Sequence, residues 1–115
     1  MTPKISTTCG SDETTTVEAD EIVIFDATFL QRGSLRDLWD EVIYLHAEEP
    51  VALLRGVERD ASALGGRASA QVTYSDRYMA ACRIYSAEEN PMDRASIVID
   101  NTDLDNPHIL RMLNA

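Results

Sequence analysis

The chain has 115 residues, of which 44% are hydrophobic and 26% are charged, a composition typical of one small globular domain. It contains ten basic and twenty acidic residues, and the net charge of −10 argues against nucleic-acid binding, which depends on neutralised phosphates. No apolar run is long enough to span a membrane, and the amino terminus has no signal-peptide pattern. These features predict a cytoplasmic protein that binds neither nucleic acid nor membrane.

The first twenty residues differ in composition from the rest of the chain. They are rich in threonine and poor in core-forming side chains, which predicts a disordered or loosely attached leader at 1–20 before an α/β domain at 21–115. The two cysteines, Cys9 and Cys82, and the two histidines, His46 and His108, have no metal-binding spacing. We therefore expect two free thiols and no zinc site.

Three short apolar runs predict buried parallel strands. They lie at 22–26, 41–45 and 96–100, and the first and third end in Asp26 and Asp100. Because strands of this kind need helical crossovers between them, the regions in between are expected to be helical.

The intervening regions carry helix signals. Capping-box spacing predicts a short helix over 34–39. A longer helix is predicted over 51–64, and a third from about 69 to about 89, where Asn90–Pro91 ends it. The order of elements predicts an α/β fold with a short parallel sheet of about three strands and flanking helices.

Asp26 is a candidate ligand for a metal or a phosphate. In open parallel sheets, ligands bind beyond the carboxyl ends of the strands. A carboxylate there can hold Mg²⁺ directly or through water. The alternative is a solvated strand-end aspartate that caps the next turn.

Six of the ten basic residues lie in the electrically neutral stretch 50–94, and two of them share one face of the second predicted helix. Arg55 and Arg59 are four residues apart and repel each other slightly, so a counter-charge is expected. A guanidinium group matches phosphate oxygens bidentately. The alternative is salt bridging to Glu58 and Asp60.

A stripe of tyrosines follows on the third predicted helix. Tyr74, Tyr78 and Tyr85 have helical spacing and could stack on a nucleobase. Residues with this spacing also form ordinary core contacts, and we keep packing as the alternative.

Three segments together resemble a known family. IVIFDATFLQRGSLRDLWDEVIYLHAEEPVALLRGVERD, YSDRYMAACRIYSAEENP and ASIVIDNTD resemble the carboxyl-terminal half of uridine kinase-like P-loop nucleoside kinases, over about residues 21–110. The most specific parts are FD-A-T-FL-QR, the R-x-x-x-R-D pattern at 55–60 and the pair Asp100–Asn101.

The resemblance implies a partial three-layer P-loop-kinase-like fold and ATP-dependent phosphorylation of a nucleoside, with ATP and Mg²⁺ as cofactors. It implies that Asp26 is a catalytic residue that organises Mg²⁺ and the phosphates. Arg55 and Arg59 would bind the nucleotide and stabilise charge on the transferring phosphoryl group. Ala27 stands where the family usually has glycine, and Gly56 replaces an arginine that is often present.

The chain contains no GxxxxGK[ST] phosphate-binding loop. We therefore expect a truncated half of a kinase that is inactive alone. The resemblance implies a parallel sheet of order 2-3-1-4-5, in which the strands at 22–26 and 41–45 flank a missing central strand. A homodimer or a partner chain is expected to complete the sheet.

Two other functions stay open. One is a non-catalytic interaction module whose exposed sheet edge recruits a partner chain. The other is a protein that binds an anionic nucleotide without turnover.

Overall fold

A computed structural model describes residues 4–6 and 14–113 of the chain. Strands β1 (Lys4–Ser6) and β2 (Thr14–Thr16) form a short antiparallel pair. Both lie within the segment predicted to be a leader, and Val17, directly after β2, is buried. The predicted free thiol of Cys9 lies outside the described residues.

The main sheet has three strands in the order β3-β4-β5. Strands β3 (Ile43–His46) and β4 (Ile97–Asp100) are parallel neighbours, which confirms the strands predicted at 41–45 and 96–100. Strand β5 (His108–Met112) is antiparallel to β4 and was not predicted. The α/β class is therefore confirmed, but the sheet is mixed instead of all parallel.

The prediction of a strand at 22–26 is wrong. This run forms no regular structure, and Ile22 and Ile24 are each 91% exposed. Phe25 stacks on Trp39, with ring centroids 5.4 Å apart. An apolar run becomes a strand only where a neighbouring strand pairs its backbone groups, and β3 is paired with β4 alone among the described residues.

The helix predicted over 34–39 is reduced to one 3₁₀ turn, Arg36–Leu38. No side chain caps its start, and the backbone is extended again at Trp39. The indole N–H of Trp39 donates to the carbonyl oxygen of Leu30 at 2.7 Å, which holds this turn closed.

Helix α1 (Glu49–Asp60) has Pro50 in its first turn, where the missing N–H costs no hydrogen bond. It ends four residues earlier than predicted. Gly65 and Gly66 then adopt positive φ angles of 88° and 108°, which glycine tolerates, and lead into helix α2 (Arg67–Thr73).

The third predicted helix, from about 69 to about 89, is confirmed as one continuous helical run. Helix α2 passes through a π-helical segment (Tyr74–Met79) into helix α3 (Ala80–Glu89). Asn90 ends it with a left-handed φ of 47°, and the short helix α4 (Pro91–Arg94) follows. None of the described helices combines the length and the apolar character needed to cross a membrane.

The helices enclose a small core between α1 and α2. Val57, Ala70 and Tyr74 are buried there. Gly56 is also buried, and a Cβ atom on it would overlap the ring of Tyr74. Other apolar side chains pack partly buried around this centre: Leu53, Ala61, Leu64 and Met79.

Candidate functional site

Asp26 lies on the surface in an irregular segment. Because 22–26 is not a strand, the carboxylate is not at the carboxyl end of one, which was the basis of its predicted role. Its neighbour Phe25 stacks on Trp39, and this contact does not involve the carboxylate of Asp26.

Arg55 binds the loop that follows β4. Its Nη1 donates to the carbonyl oxygen of Asn101 at 2.8 Å, and its Nη2 donates to that of Thr102. The N–H of Glu48, directly before α1, donates to the Thr102 hydroxyl oxygen at 3.1 Å. Arg55 therefore ties α1 to the carboxyl end of β4.

Arg59 binds a different group, although it shares a helix face with Arg55. Its Nε and Nη2 donate to the two carboxylate oxygens of Asp60, each at 3.1 Å. Its Nη2 also donates to the hydroxyl oxygen of Tyr74 at 2.9 Å, while the Tyr74 hydroxyl donates to Asp60. The salt bridge from Arg59 to Asp60 confirms the alternative interpretation for Arg59. It is wrong for Arg55, which binds backbone carbonyls, and for Glu58, which pairs with Arg67 at 3.5 Å.

These contacts shift the ionisation of all three groups. Hydrogen bonds from Arg59 and then from Tyr74 hold the pKa of Asp60 below its usual range. The hydrogen bond to Asp60, followed by burial, raises the pKa of Tyr74. The pKa of Arg59 is raised by its hydrogen bond to Asp60 first and to Tyr74 second. Arg59 and Asp60 therefore both stay ionised at neutral pH and remain paired with each other.

The tyrosine stripe is engaged in packing. Tyr74 is only 6% exposed and belongs to the core, and the ring of Tyr78 meets its edge at 4.7 Å. The hydroxyl oxygen of Tyr85 accepts the N–H of Gln31 at 2.8 Å, and its ring packs edge-on against Phe29 at 5.2 Å. These contacts confirm the packing interpretation for Tyr74 and Tyr85, whereas Tyr78 packs through one edge of its ring and is 47% exposed.

An open groove of about 310 Å³ lies at the amino ends of β3 and β4. Arg36 and Arg94 line it together with Asp37 and Asp40. The charges balance, and Arg36 also pairs with Glu89 at 3.4 Å, so the groove has no excess positive charge for a phosphate.

The residues predicted to hold ATP and Mg²⁺ do not fit those groups. The guanidinium of Arg55 is used by backbone carbonyls and that of Arg59 by Asp60, while Asp26 offers one exposed carboxylate away from any strand end. Within residues 4–6 and 14–113, no group of three or more His, Cys, Asp or Glu side chains is placed to hold a metal ion.

Strand register places a polar row, not anticipated from the sequence, at the carboxyl ends of β3 and β4. His46 is opposite Asp100, and Asp100 is opposite His108. Hydrogen bonds from the hydroxyl and N–H of Thr102 hold the pKa of Asp100 below its usual range, and the two histidines add to this. The carboxylate lies 3.8 Å from Nε2 of His108. No spacing in the sequence signals this row, because it depends on the unpredicted strand β5.

The same register gathers aliphatic side chains on one face of the sheet. Residues opposite each other in a sheet point to the same side, and neighbours along a strand alternate. We call this surface the open sheet face; it consists of Ile43, Leu45, Ile97, Ile99, Ile109 and Met112. Ile109 and Met112 share this face although they are three residues apart, because β5 has a bulge between them. Its four outer members are between 52% and 61% exposed: Ile43, Leu45, Ile109 and Met112.

The opposite face of the sheet is covered by the helices. Val98 there is only 1% exposed. Burial raises the pKa of Tyr44, with smaller contributions from Cys82 and Tyr85 of α3, so the Tyr44 side chain points toward that helix. Arg111 donates to the carbonyl oxygen of Ala95 at 2.8 Å. The described residues thus form one helical layer and one sheet, whose second face is uncovered.

Comparisons with known proteins leave this arrangement without a parallel: no protein-family model, no curated protein and no solved structure matches the chain. The resemblance to uridine kinase-like proteins therefore stays a prediction from the residues.

Proposed function

We propose that this protein is a non-catalytic interaction module whose open sheet face packs against another polypeptide. The observation that carries the proposal is the row of six aliphatic side chains on a sheet face that no described element covers. An apolar sheet face is normally buried against another layer of structure, because a solvated sheet face carries polar side chains instead.

The contrast between the two faces supports this function. The covered face carries polar side chains such as Tyr44, His46 and Asp100, which are held by contacts with helices and loops. The open sheet face carries only aliphatic groups. Since polar residues belong at a solvated sheet surface and apolar ones at a buried surface, a binding partner explains this pattern.

The test is photo-cross-linking of the full chain in cells. A benzophenone amino acid replaces Leu45 on the open sheet face, and a control variant carries it at Val72 on α2. The two sites are matched, because these side chains are 61% and 59% exposed. We expect a discrete protein adduct from position 45 and none from position 72.

Two outcomes contradict the proposal. One is a chain that stays uncross-linked at position 45 although it is folded and expressed. The other is the same broad set of adducts at both positions, which would show random encounters with exposed apolar groups instead of a binding surface.

A second candidate function is a nucleoside kinase-like protein, and one feature favours it. Strands β3 and β4 are parallel neighbours, as the resemblance implies for the fourth and fifth strands of its sheet, and β4 ends in Asp100, which Asn101 follows. The bound state of Arg55 and Arg59 weighs against it. Cytoplasmic location is part of both proposals.

An activity assay separates the two functions. Purified chain is incubated with ATP, Mg²⁺ and uridine or cytidine, and the monophosphate is measured. The interaction module predicts no product above background. Turnover near the usual kinase range of about 1–100 per second would favour the second candidate and contradict the first.

A further inference from the structure

We infer that the polypeptide covering the open sheet face is a second copy of this chain, packed sheet against sheet about a two-fold axis. This inference rests on the proposed function, and it names the partner for the same surface. The charge, the area and the shape of that surface favour a copy of the chain.

Charge favours a copy of the chain at this surface. In a two-fold contact the same patch meets itself, so a patch with a net charge faces a patch of the same net charge. A chain with a net charge of −10 therefore repels its own copies over most of its surface. The open sheet face has no charged residue among its six members, and an aliphatic patch is complementary to itself.

The area is at the lower limit for a dimer. Four of the six side chains are more than half exposed and Ile97 and Ile99 are partly exposed, so the face presents on the order of 400–500 Å² and two copies would bury on the order of 800–1,000 Å², at the lower limit for a specific interface. Area alone does not set affinity, but interfaces at this lower limit are typical of weak or transient contacts, so we expect a dimer that dissociates on dilution.

The shape of the sheet favours face-to-face packing over pairing at the edges. The edge strands β3 and β5 have only four and five residues, which limits the hydrogen bonds that an added strand can form. Two sheets that pack face to face lie about 10 Å apart, which is the depth that interdigitating isoleucine, leucine and methionine side chains fill.

A second exposed apolar segment is the run Ile22–Phe25. It is shorter and has no regular structure, and acidic residues flank it: Asp20, Glu21 and Asp26. Two copies meeting there would bring these carboxylates together, so this run is not the contact we infer.

The experiment measures mass in solution by sedimentation equilibrium of the purified full chain at about 1–100 µM, a range chosen for an interface of this size. We expect twice the chain mass of 12.8 kDa at the upper end and dissociation on dilution. The double substitution Leu45→Lys/Ile109→Lys places like charges in the contact and should halve the mass, with an unchanged far-ultraviolet circular dichroism spectrum.

The matched control is Val72→Lys on the helical layer, which should leave the dimer intact. Should the double variant fail to fold, the chain with benzophenone at position 45 and no other change gives an independent result. We expect an adduct of twice the chain mass, cross-linked between the two sheets.

Sedimentation and cross-linking together distinguish a failure of this inference from a failure of the proposed function. A wild-type chain that stays monomeric throughout, with an adduct at position 45 to a different protein, overturns the dimer and keeps the interaction module. A monomer without any adduct at position 45 overturns both. A dimer that the double substitution leaves unchanged, in a folded variant, places the contact elsewhere and also overturns the inference.

Discussion

Tyr74 joins the two helices that enclose the small core. Its ring packs over Gly56 of α1, and its hydroxyl donates to Asp60, which Arg59 holds with two further hydrogen bonds. The buried ring needs a partner for its hydroxyl, and the carboxylate supplies one. Arg59 therefore serves the attachment of α1 to the π-helical segment.

Replacing Gly56 by alanine tests this packing directly. The new methyl group would overlap the ring of Tyr74, and overpacking of a core costs about 1–3 kcal/mol, against a gain of about 1 kcal/mol in helix propensity. We expect a lower thermal midpoint for Gly56→Ala. In the control Gly33→Ala the added atom makes an ordinary contact 3.6 Å from Glu89, so the midpoint should hardly change. An equal or higher midpoint for Gly56→Ala would contradict this packing.

The lowered pKa of Asp60 predicts a pH-dependent contribution to stability. The folded chain binds a proton at Asp60 less readily than the unfolded chain, so this contribution is present above about pH 4 and is lost as the pH falls through the lower folded pKa. Asp60→Asn should lower the urea midpoint at pH 7, and the difference from wild type should shrink below pH 4.

The control for this experiment is Asp76→Asn, which alters an exposed carboxylate on the π-helical segment and should leave the urea midpoint unchanged at both pH values. A difference between Asp60→Asn and wild type that stays constant from pH 7 to pH 3 would show that the ionised form of Asp60 has no special role.

At the scale of elements, Arg55 connects α1 to the loop after β4 through two backbone carbonyls. A hydrogen bond from a charged group contributes about 1.5–3 kcal/mol to stability, so Arg55→Ala should lower the free energy of unfolding by about that amount. Arg77→Ala, at an exposed position, should change it by less than about 0.5 kcal/mol. Denaturant titration of both variants measures this difference.

The same variant addresses the predicted nucleotide contact. Because its donors are already used, Arg55→Ala should leave the affinity for ATP, measured by calorimetric titration, unchanged within error. A clear loss of ATP binding in a folded Arg55→Ala chain would restore the nucleotide-binding role that the family resemblance implies.

The sequence predicts a helix from its periodic pattern, and it predicts a strand correctly where a second strand pairs with it. The helix from about 69 to about 89 and the strands at 41–45 and 96–100 are short apolar or periodic segments with clear ends, and they form close to the predicted bounds. The run at 22–26 has the same strand pattern but no neighbouring strand to pair with. Strand propensity alone therefore could not decide its structure.

The candidate site was harder to predict, because it depends on register and layering. Strand β5 contains His108 and Arg111 among its apolar residues, so its sequence lacks a clean alternation, and its pairing with β4 includes a bulge. Without β5, neither the polar row nor the open sheet face exists. Which face the helices cover is also a tertiary property that no single segment specifies.

At the scale of the whole molecule, the described residues form a two-layer arrangement in which one sheet face lacks a cover. A partner at that face would exclude water from Ile43, Leu45, Ile109 and Met112, which contribute most of its exposed area. The central claim is that another polypeptide occupies this face in the functional protein.

Oxidation of native methionines is the most direct measurement of that claim. Met112 lies on the open sheet face and is 52% exposed in the single chain, whereas Met79 packs against the helical core and is less exposed. Brief hydroxyl-radical labelling of the unmodified protein in cells, read by mass spectrometry, compares the two side chains. Our account predicts that Met112 is oxidised more slowly than Met79, because a partner covers it. Faster oxidation of Met112 than of Met79, the order expected for the uncovered chain, would contradict the account.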